Sequence, residues 1–362
     1  MYRTGSIRLP SDTAPWTVWN TTGAVTSGDS SAYLHEGSGE LCSRWIQPDF
    51  APHELIVSWN STTADGGTLE VFAQAAFEGG KESAWVSFGM WSTAPGTERG
   101  SRRDQTWESY RVVTDTFVSD RAFTAFRLRV AMTGPVELHG ISACWSDPKT
   151  IAARRQREPH RSAARDSRIL SHVPQCSQMV FPDGGNTWCS PTSLAMVMEY
   201  WNRTGRDCTE CVHATRGGVY DPVYGGHGNW VFNAAWAGEQ GFDARILRFC
   251  SFDALEPWIE AGVPLVLSVA WNNEAGRRLA HAPVPKSNGH LTVLVGFDEN
   301  GNAVMNEPAS AANETVRRTY DRYELEDCWL AASGGCCYVV YPRGTAIPDE
   351  CQPGGNASII AS

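Results

Sequence analysis

Residues 187–201, TWCSPTSLAMVMEYW, carry an apolar pattern of helical period that begins directly after a cysteine. Apolar residues recur there at i, i+3, i+4 and i+7, which predicts an amphipathic α-helix over 190–203 with one face in a core. The apolar residues of this face are Leu194, Val197, Met198 and Trp201. Pro191 suits the first turn of a helix, where a backbone N–H has no partner within the helix. Cys189 is therefore predicted to lie at the helix N-terminus.

A thiol at the N-terminus of a helix lies where its ionised form is favoured. The helix dipole and the unpaired backbone N–H groups stabilise a thiolate. The same N–H groups can receive the oxyanion that forms when a thiolate attacks a carbonyl group. The alternative is that Cys189 is a buried cysteine with a structural role only. A nucleophilic cysteine needs an imidazole that accepts and donates protons, and a polar group that orients the imidazole.

A predicted β-hairpin supplies these partners. Residues 290–297 and 303–306 predict two strands, with DENG as the turn between them. The end of the second strand then lies beside the start of the first, so that Asn306 or Glu307 can reach His290. His290 is accordingly the candidate base, and one of these two residues is its orienting group.

Together, these pieces resemble the C39-like cysteine peptidases of the papain-like superfamily. The resemblance is carried by SQMVFPDGGNTWCSPTSLAMVMEYW, GNWVFNAAWA, NGHLTVLVGFDENGNAVMNEPA and GGCCYVVYP. In addition, SWNSTTADGGTLEVFAQAAFEGG is similar to the β-rich first domain of actinobacterial members of this family. The resemblance therefore covers most of residues 50–342.

The resemblance implies a role for each matching residue. Cys189 matches the nucleophile, and His290 matches the general base and acid. Gln178, eleven residues before the cysteine, matches the glutamine whose side-chain amide joins the backbone N–H of Cys189 in the oxyanion hole. Gln175 is the second, less favoured candidate for this role.

Two positions depart from the family pattern. The orienting Asp of the family corresponds to Glu307, whose side chain is one methylene longer, so that its reach to His290 changes. Asn306 therefore stays open as a rival, since an asparagine can orient a catalytic imidazole equally well. The chain also has Ser190 after the cysteine, where many relatives have glycine.

The resemblance further implies a fold and an activity. It implies an α+β, papain-like domain that cleaves a peptide or amide bond of a peptide or protein substrate through a thioester on Cys189. No metal or organic cofactor is expected. One alternative is an acyltransferase that uses the same Cys–His site. The other is a catalytically inert protein that binds a glycan or a peptide.

The sequence before this region predicts β structure. Residues 124–131, TAFRLRVA, alternate strictly between apolar and other positions, and 53–60 and 69–77 are also strand-like. Short turns and the lack of an amphipathic helix predict an antiparallel, jelly-roll-like β-sandwich over 1–146. Eight of the 15 tryptophans of the chain fall in this range. They are expected to fill the core, and an exposed minority would allow contact with a glycan.

The composition limits the remaining possibilities. The predicted domains are 1–146, a basic linker over 147–172, a peptidase domain over 173–345 and a tail over 346–362. The net charge of −10, despite the basic linker, argues against binding of nucleic acid. The longest strongly apolar stretch, 263–271, is far shorter than the roughly 20 residues of a membrane span.

The 11 cysteines leave the compartment open. An odd, large number fits five disulfides plus one working thiol in an oxidising compartment, or small buried side chains in a reducing one. The start, MYRTGSIRLPSDTAPW, has no apolar segment of a signal peptide, which favours the cytoplasm, whereas the resemblance favours export. Cys208 and Cys211, followed by His213, resemble half a zinc site or a redox pair. A disulfide or plain burial is preferred for them.

Overall fold

A computed structural model describes residues 2–10, 19–28, 31–63, 66–151, 168–348, 351 and 357–359. Most regular structure in them is β, with few helices, and the chain divides into two compact units. The mixed unit comprises residues 1–2, 149–219 and 247–353, and the β-rich unit comprises 3–148, 220–246 and 354–362. No helix among the described residues is long and apolar enough to cross a membrane.

The β-rich unit contains two antiparallel sheets. Its strands are β1 (Thr4–Leu9), β2 (Asn20–Gly23), β3 (Thr26–Ser27), β4 (Ala32–Leu34), β5 (Ser38–Cys42), β6 (Ile46–Pro48), β7 (Glu54–Thr62), β8 (Thr68–Phe77), β9 (Val86–Trp91), β10 (Tyr110–Val113), β11 (Thr116–Ser119), β12 (Phe123–Thr133), β13 (Val136–Ser146) and β20 (Ala357–Ile359). One sheet has the order β10-β11-β7-β13-β4-β3, with β1 beside β13. The other has the order β2-β5-β12-β6-β20, with β8 beside β12 and β9 beside β8.

The alternating pattern of the sequence accounts for the core of this unit. Along β12, the apolar side chains of the predicted strand are fully buried, whereas Arg127 and Arg129 are partly exposed. Side chains from the two sheets meet in the core, with the ring centroids of Phe126 and Trp145 5.8 Å apart. The predicted strands over 53–60, 69–77 and 124–131 correspond to β7, β8 and β12.

The tryptophans of this unit fall into two groups. Those in the core are Trp19, Trp59, Trp91 and Trp145. Trp45 and Trp85 are partly exposed, and the guanidinium of Arg127 lies 4.6 and 5.1 Å from their ring centroids. Trp107 is 36% exposed. Trp16 lies outside the described residues. Filling of the core thus accounts for most of the described tryptophans in this range.

The mixed unit combines helices with a sheet. Its helices are α1 (Cys189–Asn202), α2 (Cys208–Val219), α4 (Glu256–Glu260) and α5 (Arg322–Ser333), and α3 (Trp230–Glu239) belongs to the β-rich unit. Its strands are β15 (Leu265–Asn272), β16 (Lys286–Phe297), β17 (Ala303–Asn306), β18 (Arg317–Tyr320) and β19 (Cys336–Pro342), and most of β14 (Phe242–Arg248) belongs to the β-rich unit. The strands of the mixed unit lie in one sheet in the order β19-β15-β16-β17-β18. The helix predicted over 190–203 is α1.

One strand differs from its prediction in a way that matters for the site. β16 begins at Lys286, four residues before the predicted start, so that His290 lies inside the strand rather than at its edge. Lys286 and Ser287 pair with Asn272 and Trp271 at the end of β15, beyond a shift in register. The polar character of residues 286–289 gave no apolar signal for a strand.

One long segment clusters differently from the predicted domain boundaries. Residues 220–246, predicted inside the peptidase domain, cluster with the β-rich unit. Within that unit, the backbone N–H of Trp230 donates to Asp115 over 2.7 Å, and the indole N–H of Trp91 donates to Glu239 over 3.0 Å. Most of the predicted linker, residues 152–167, and most of the predicted tail lie outside the described residues.

Candidate active site

Cys189 is the first residue of α1 and is partly exposed. Trp188 occupies the N-cap position, and its side chain makes no capping hydrogen bond. The helix is fixed against β16, because the hydroxyl of Ser193 donates to the carbonyl oxygen of Leu291 over 3.0 Å. This contact holds the start of α1 beside the part of β16 that carries His290.

His290 is buried and in contact with Glu307. Its side chain projects from β16, and 4% of the residue is exposed. The imidazole Nε2 lies 2.5 Å from Oε1 of Glu307, a short contact between ionisable groups. The ring of Trp271 packs against the imidazole edge to face, with centroids 5.3 Å apart. Glu307 and Trp271 thus restrict the orientation of the imidazole.

The strand register explains how a glutamate reaches this imidazole. Asn306 pairs with Val293, and continuing this register by one residue puts Glu307 opposite Thr292, diagonal to His290. Diagonal neighbours in an antiparallel pair are roughly 7 Å apart, within reach of long side chains. The extra methylene of a glutamate therefore suits this position.

Asn306, the predicted rival for this role, is directed elsewhere. Its Nδ2 donates to the carbonyl oxygen of Pro174 over 2.7 Å, and its Oδ1 accepts from Nε of Arg317 over 2.6 Å. Consecutive residues of an extended strand project to opposite sides, so that Asn306 and Glu307 cannot both face the imidazole. The structure brings Glu307 to His290, and it assigns Asn306 to a buried contact with Pro174 and Arg317.

The electrostatic environment favours charge separation between Cys189 and His290. Burial raises the pKa of the Cys189 thiol, but the hydrogen bond and positive charge of His290 outweigh burial, so that the net shift is downward. Burial lowers the pKa of His290, but the negative charge of Glu307 and the hydrogen bond to Cys189 outweigh it and raise the pKa to about 10. Because Glu307 occupies Nε2, Nδ1 is the ring nitrogen left for the sulfur. The arrangement stabilises a thiolate–imidazolium pair.

Gln178, the predicted oxyanion residue, is buried and contacts the residue that follows Glu307. It is 2% exposed, and its backbone N–H donates to the carbonyl oxygen of Pro308 over 2.8 Å. Its side-chain Oε1 has no hydrogen-bond partner among the described residues. Gln175, the second candidate, is exposed, and its Oε1 accepts from the backbone N–H of Arg317 over 3.2 Å. Burial beside the residue that follows Glu307 therefore favours Gln178 over Gln175.

A disulfide lies close to Gln178 in the sequence. Cys176 and Cys208 are bonded, with their Cα atoms 5.5 Å apart, whereas Cys189 and Cys211 are free thiols. Cys208 thus pairs with Cys176 and not with Cys211. Burial and the charge of Glu199 raise the pKa of Cys211 to about 11. Among the described residues, no group of three or more His, Cys, Asp and Glu side chains is arranged to hold a metal.

Two residues at this site gave no signal in the sequence. Trp271 packs on His290, and the hydroxyl of Tyr320 donates to Oε2 of Glu307 over 3.5 Å. Tyr320 ends a four-residue strand, RRTY, and its approach to Glu307 depends on the pairing of β17 with β18. Only a correct three-strand register could have identified it.

Two family models match the chain. The Peptidase C39 like family matches residues 170–337, and the Peptidase C39 N-terminal domain matches residues 17–140. Among curated proteins, no sequence matches.

Several solved structures show limited similarity. A Bacillus anthracis protein described as a C39-like peptidase is 18% identical over 50% of this chain and 100% of its own, with a TM-score of 0.34. A family two carbohydrate esterase from Cellvibrio japonicus is 8% identical over 41% of this chain and 34% of its own, with a TM-score of 0.19. TmCBM61, solved with β-1,4-galactotriose, is 13% identical over 37% of this chain and 91% of its own, with a TM-score of 0.20. These scores are too low to bear on fold or function.

Proposed function

We propose that this chain, whose residues 170–337 belong to the Peptidase C39-like family, is a cysteine peptidase or amidohydrolase with Cys189 as its nucleophile. The observation that carries this proposal is the contact series from Cys189 through His290 to Glu307. It combines a thiol of lowered pKa, an imidazole of raised pKa and a buried carboxylate on the far ring nitrogen. Such a combination provides a nucleophile, a proton donor and an orienting group.

In the proposed reaction, the thiolate of Cys189 attacks the carbonyl carbon of the substrate. The carbonyl oxygen becomes an oxyanion, which the backbone N–H of Cys189 and the side-chain amide of Gln178 stabilise. The imidazolium of His290 then donates its proton to the leaving nitrogen, the C–N bond breaks, and a thioester remains on Cys189. Water attacks the thioester while His290 accepts its proton. The C–S bond breaks, and a carboxylic acid is released.

We also propose the finer fold. The start of α1, fixed to a strand of the antiparallel sheet by Ser193, supports a papain-like arrangement of the mixed unit. The two antiparallel sheets with shared core contacts support a jelly-roll-like sandwich for the β-rich unit. Contact with a glycan through this unit stays a prediction, for which Trp45, Trp85 and Trp107 are the partly exposed rings.

The first test is the reactivity of Cys189 toward iodoacetamide at pH 6, followed by site-resolved mass spectrometry. A thiol with an ordinary pKa is almost fully protonated at this pH and reacts slowly. Cys189 is expected to react much faster than Cys211, whose raised pKa makes it a matched control within the same molecule. His290→Ala is expected to remove this difference. Equally slow labelling of both cysteines would contradict the proposal and support a catalytically inert protein.

The second test separates hydrolysis from acyl transfer. A mixture of peptides is incubated with the protein and with Cys189→Ala, and new termini are identified by mass spectrometry. Hydrolysis is expected to produce free carboxyl termini that depend on Cys189, even when an amine such as hydroxylamine is absent. Products that form only with an added amine would indicate an acyltransferase instead.

A further inference from the structure

The carboxylate of Glu307 is fully buried and has three hydrogen-bonding contacts. Its Oε1 lies 2.5 Å from Nε2 of His290 and accepts from the backbone N–H of Ala309 over 2.9 Å. Its Oε2 accepts from the hydroxyl of Tyr320 over 3.5 Å. The two oxygens thus have different tasks, because one faces the imidazole and the other faces a phenol.

Tyr320 is suited to act as a permanent donor. It is 1% exposed, and its backbone pairs with Ala303 across β17 and β18. Burial raises the pKa of its phenol strongly, and the charge of Glu307 raises it further, against a smaller opposing effect of Arg318. The phenol therefore keeps its proton throughout the range in which Cys189 and His290 titrate.

A glutamate needs such a donor more than an aspartate does. Its side chain has one more rotatable bond, and each additional rotamer must be excluded if the carboxylate is to stay on the imidazole. A donor on Oε1 alone allows the carboxylate to turn about its own axis. A second donor on Oε2 fixes both oxygens.

We propose that Tyr320 is a positioning residue for the proposed active site, holding Oε2 of Glu307 so that Oε1 remains on His290. This inference rests on the proposed function, since it concerns the same thiolate–imidazolium pair. Tyr320 does not touch the substrate or the reacting sulfur, and it acts through Glu307.

The test is the pH dependence of Cys189 alkylation in Tyr320→Phe. The rate with iodoacetamide has a lower inflection, where the ion pair forms, and an upper inflection, where the imidazolium loses its proton. When Glu307 is less firmly held, it stabilises the protonated imidazole less, so that the pKa of His290 falls. The upper inflection should then move down by about 0.4 to 1 pH unit, the size expected for one lost hydrogen bond.

A matched control is Tyr200→Phe. Its hydroxyl donates to the carbonyl oxygen of Gly262 over 3.0 Å in the same unit, and the substitution is chemically identical. This variant is expected to leave both inflections in place. In a Glu307→Gln background, Tyr320→Phe is expected to add no further shift, because its effect passes through the carboxylate.

The outcomes separate this inference from the proposed function. An upper inflection that stays in place in Tyr320→Phe, or that moves up, would overturn the role of Tyr320, even when the melting temperature falls. Absence of low-pH reactivity at Cys189 in the unsubstituted protein would overturn the proposed function itself. The melting temperature and the labelling of Cys211 show whether each variant is folded.

Discussion

At the scale of single residues, adjacent side chains with similar chemistry have unrelated surroundings. Glu307 faces an imidazole, whereas the amide of Asn306 joins the carbonyl oxygen of Pro174 to the guanidinium of Arg317. The first contact is electrostatic and bears on reactivity. The second is a buried hydrogen-bonded link and bears on stability.

Substitution of these two residues should therefore have different effects. We expect Glu307→Gln to lower kcat/KM by about 10²-fold or more, in the range of a lost acid–base function, and to move the upper pH limit of activity down. The sign follows from the charge, because loss of the carboxylate lowers the raised pKa of His290. Rates measured between pH 5 and 10 test this.

Asn306→Ala is the matched variant. It removes the buried hydrogen bonds to the Pro174 carbonyl and to Nε of Arg317, which costs about 1–3 kcal/mol of unfolding free energy. Thermal denaturation should show this loss, and the pH limits of activity should not move. Shifted pH limits in Asn306→Ala would return the orienting role to this residue.

The sequence predicted Cys189 and His290 as candidate residues, but it could not choose between Asn306 and Glu307 as the orienting group. Cys189 and His290 are predictable because one starts a periodic helix and the other lies in an apolar strand beside a hairpin. The orientation of position 306 relative to 307 depends on the register with β16. This register shifts by one residue between Leu294 and Gly296, and the apolar pattern of the sequence does not reveal such a β-bulge.

At the scale of elements, the turn that carries Gln178 is closely packed against a glycine. A Cβ atom at Gly185 would lie 1.9 Å from the carbonyl oxygen of Gln178. Any side chain at this position must therefore displace the backbone of the turn. The close approach explains why the segment before α1 has a glycine here.

Gly185→Ala tests the importance of this turn. We expect a loss of kcat of at least about tenfold, as removal of one oxyanion donor costs about 10²–10³-fold. The low-pH alkylation of Cys189 should persist, because the ion pair with His290 is separate from the turn. Gly217→Ala is the control, since a Cβ there meets open space within a helix. Full activity of Gly185→Ala would contradict the expected dependence of catalysis on this turn.

The disulfide can be tested at the same scale. Cys176 and Cys208 close a loop of 32 residues that contains Gln178 and Cys189. Replacement of both by serine is expected to lower the unfolding free energy by about 2–4 kcal/mol. Alkylation of the unfolded, unreduced protein should leave Cys176 and Cys208 unmodified. Modification of these two residues would mean that this bond does not form.

The helices differ in how clearly the sequence predicts them. α1 follows from its apolar period. α2 contains two glycines that lower helix propensity, so that its existence depends on burial of Val212 and Val219 and on the disulfide at Cys208. α5 carried a usable signal, because Asp321 caps its start and Gly334, with φ of 66°, follows its end.

At the scale of the whole molecule, the segment 220–246 is the main departure from the order of the sequence. Besides the hydrogen bonds of Asp115 and Glu239, a third contact joins this segment to the rest of the β-rich unit. The side-chain amide of Asn60 donates to the carbonyl oxygen of Ala244 over 2.9 Å. Arg8 also forms an ion pair with Asp243 over 2.9 Å. Composition and motifs follow chain order, whereas these contacts join positions far apart in sequence.

This organisation predicts the behaviour of a truncated chain. A fragment over 168–351 retains α3 but lacks Asp115, Asn60 and Trp91, so that buried polar groups of the segment lose their partners. We expect it to be insoluble or to unfold at a clearly lower temperature than the full chain, as measured by calorimetry. A monomeric fragment with unchanged melting temperature and unchanged Cys189 alkylation would contradict this.

The placement of 220–246 also constrains how such chains can be recombined. A crossover between relatives at the basic stretch near residue 160 would combine α3 from one parent with the residues that contact α3 from the other parent. Substitutions at Asp115, Asn60 or Arg8 would then need compensating changes more than a hundred positions away. The two regions that match family models are therefore expected to be inherited together. Chimeras should exchange residues 220–246 together with the amino-terminal half.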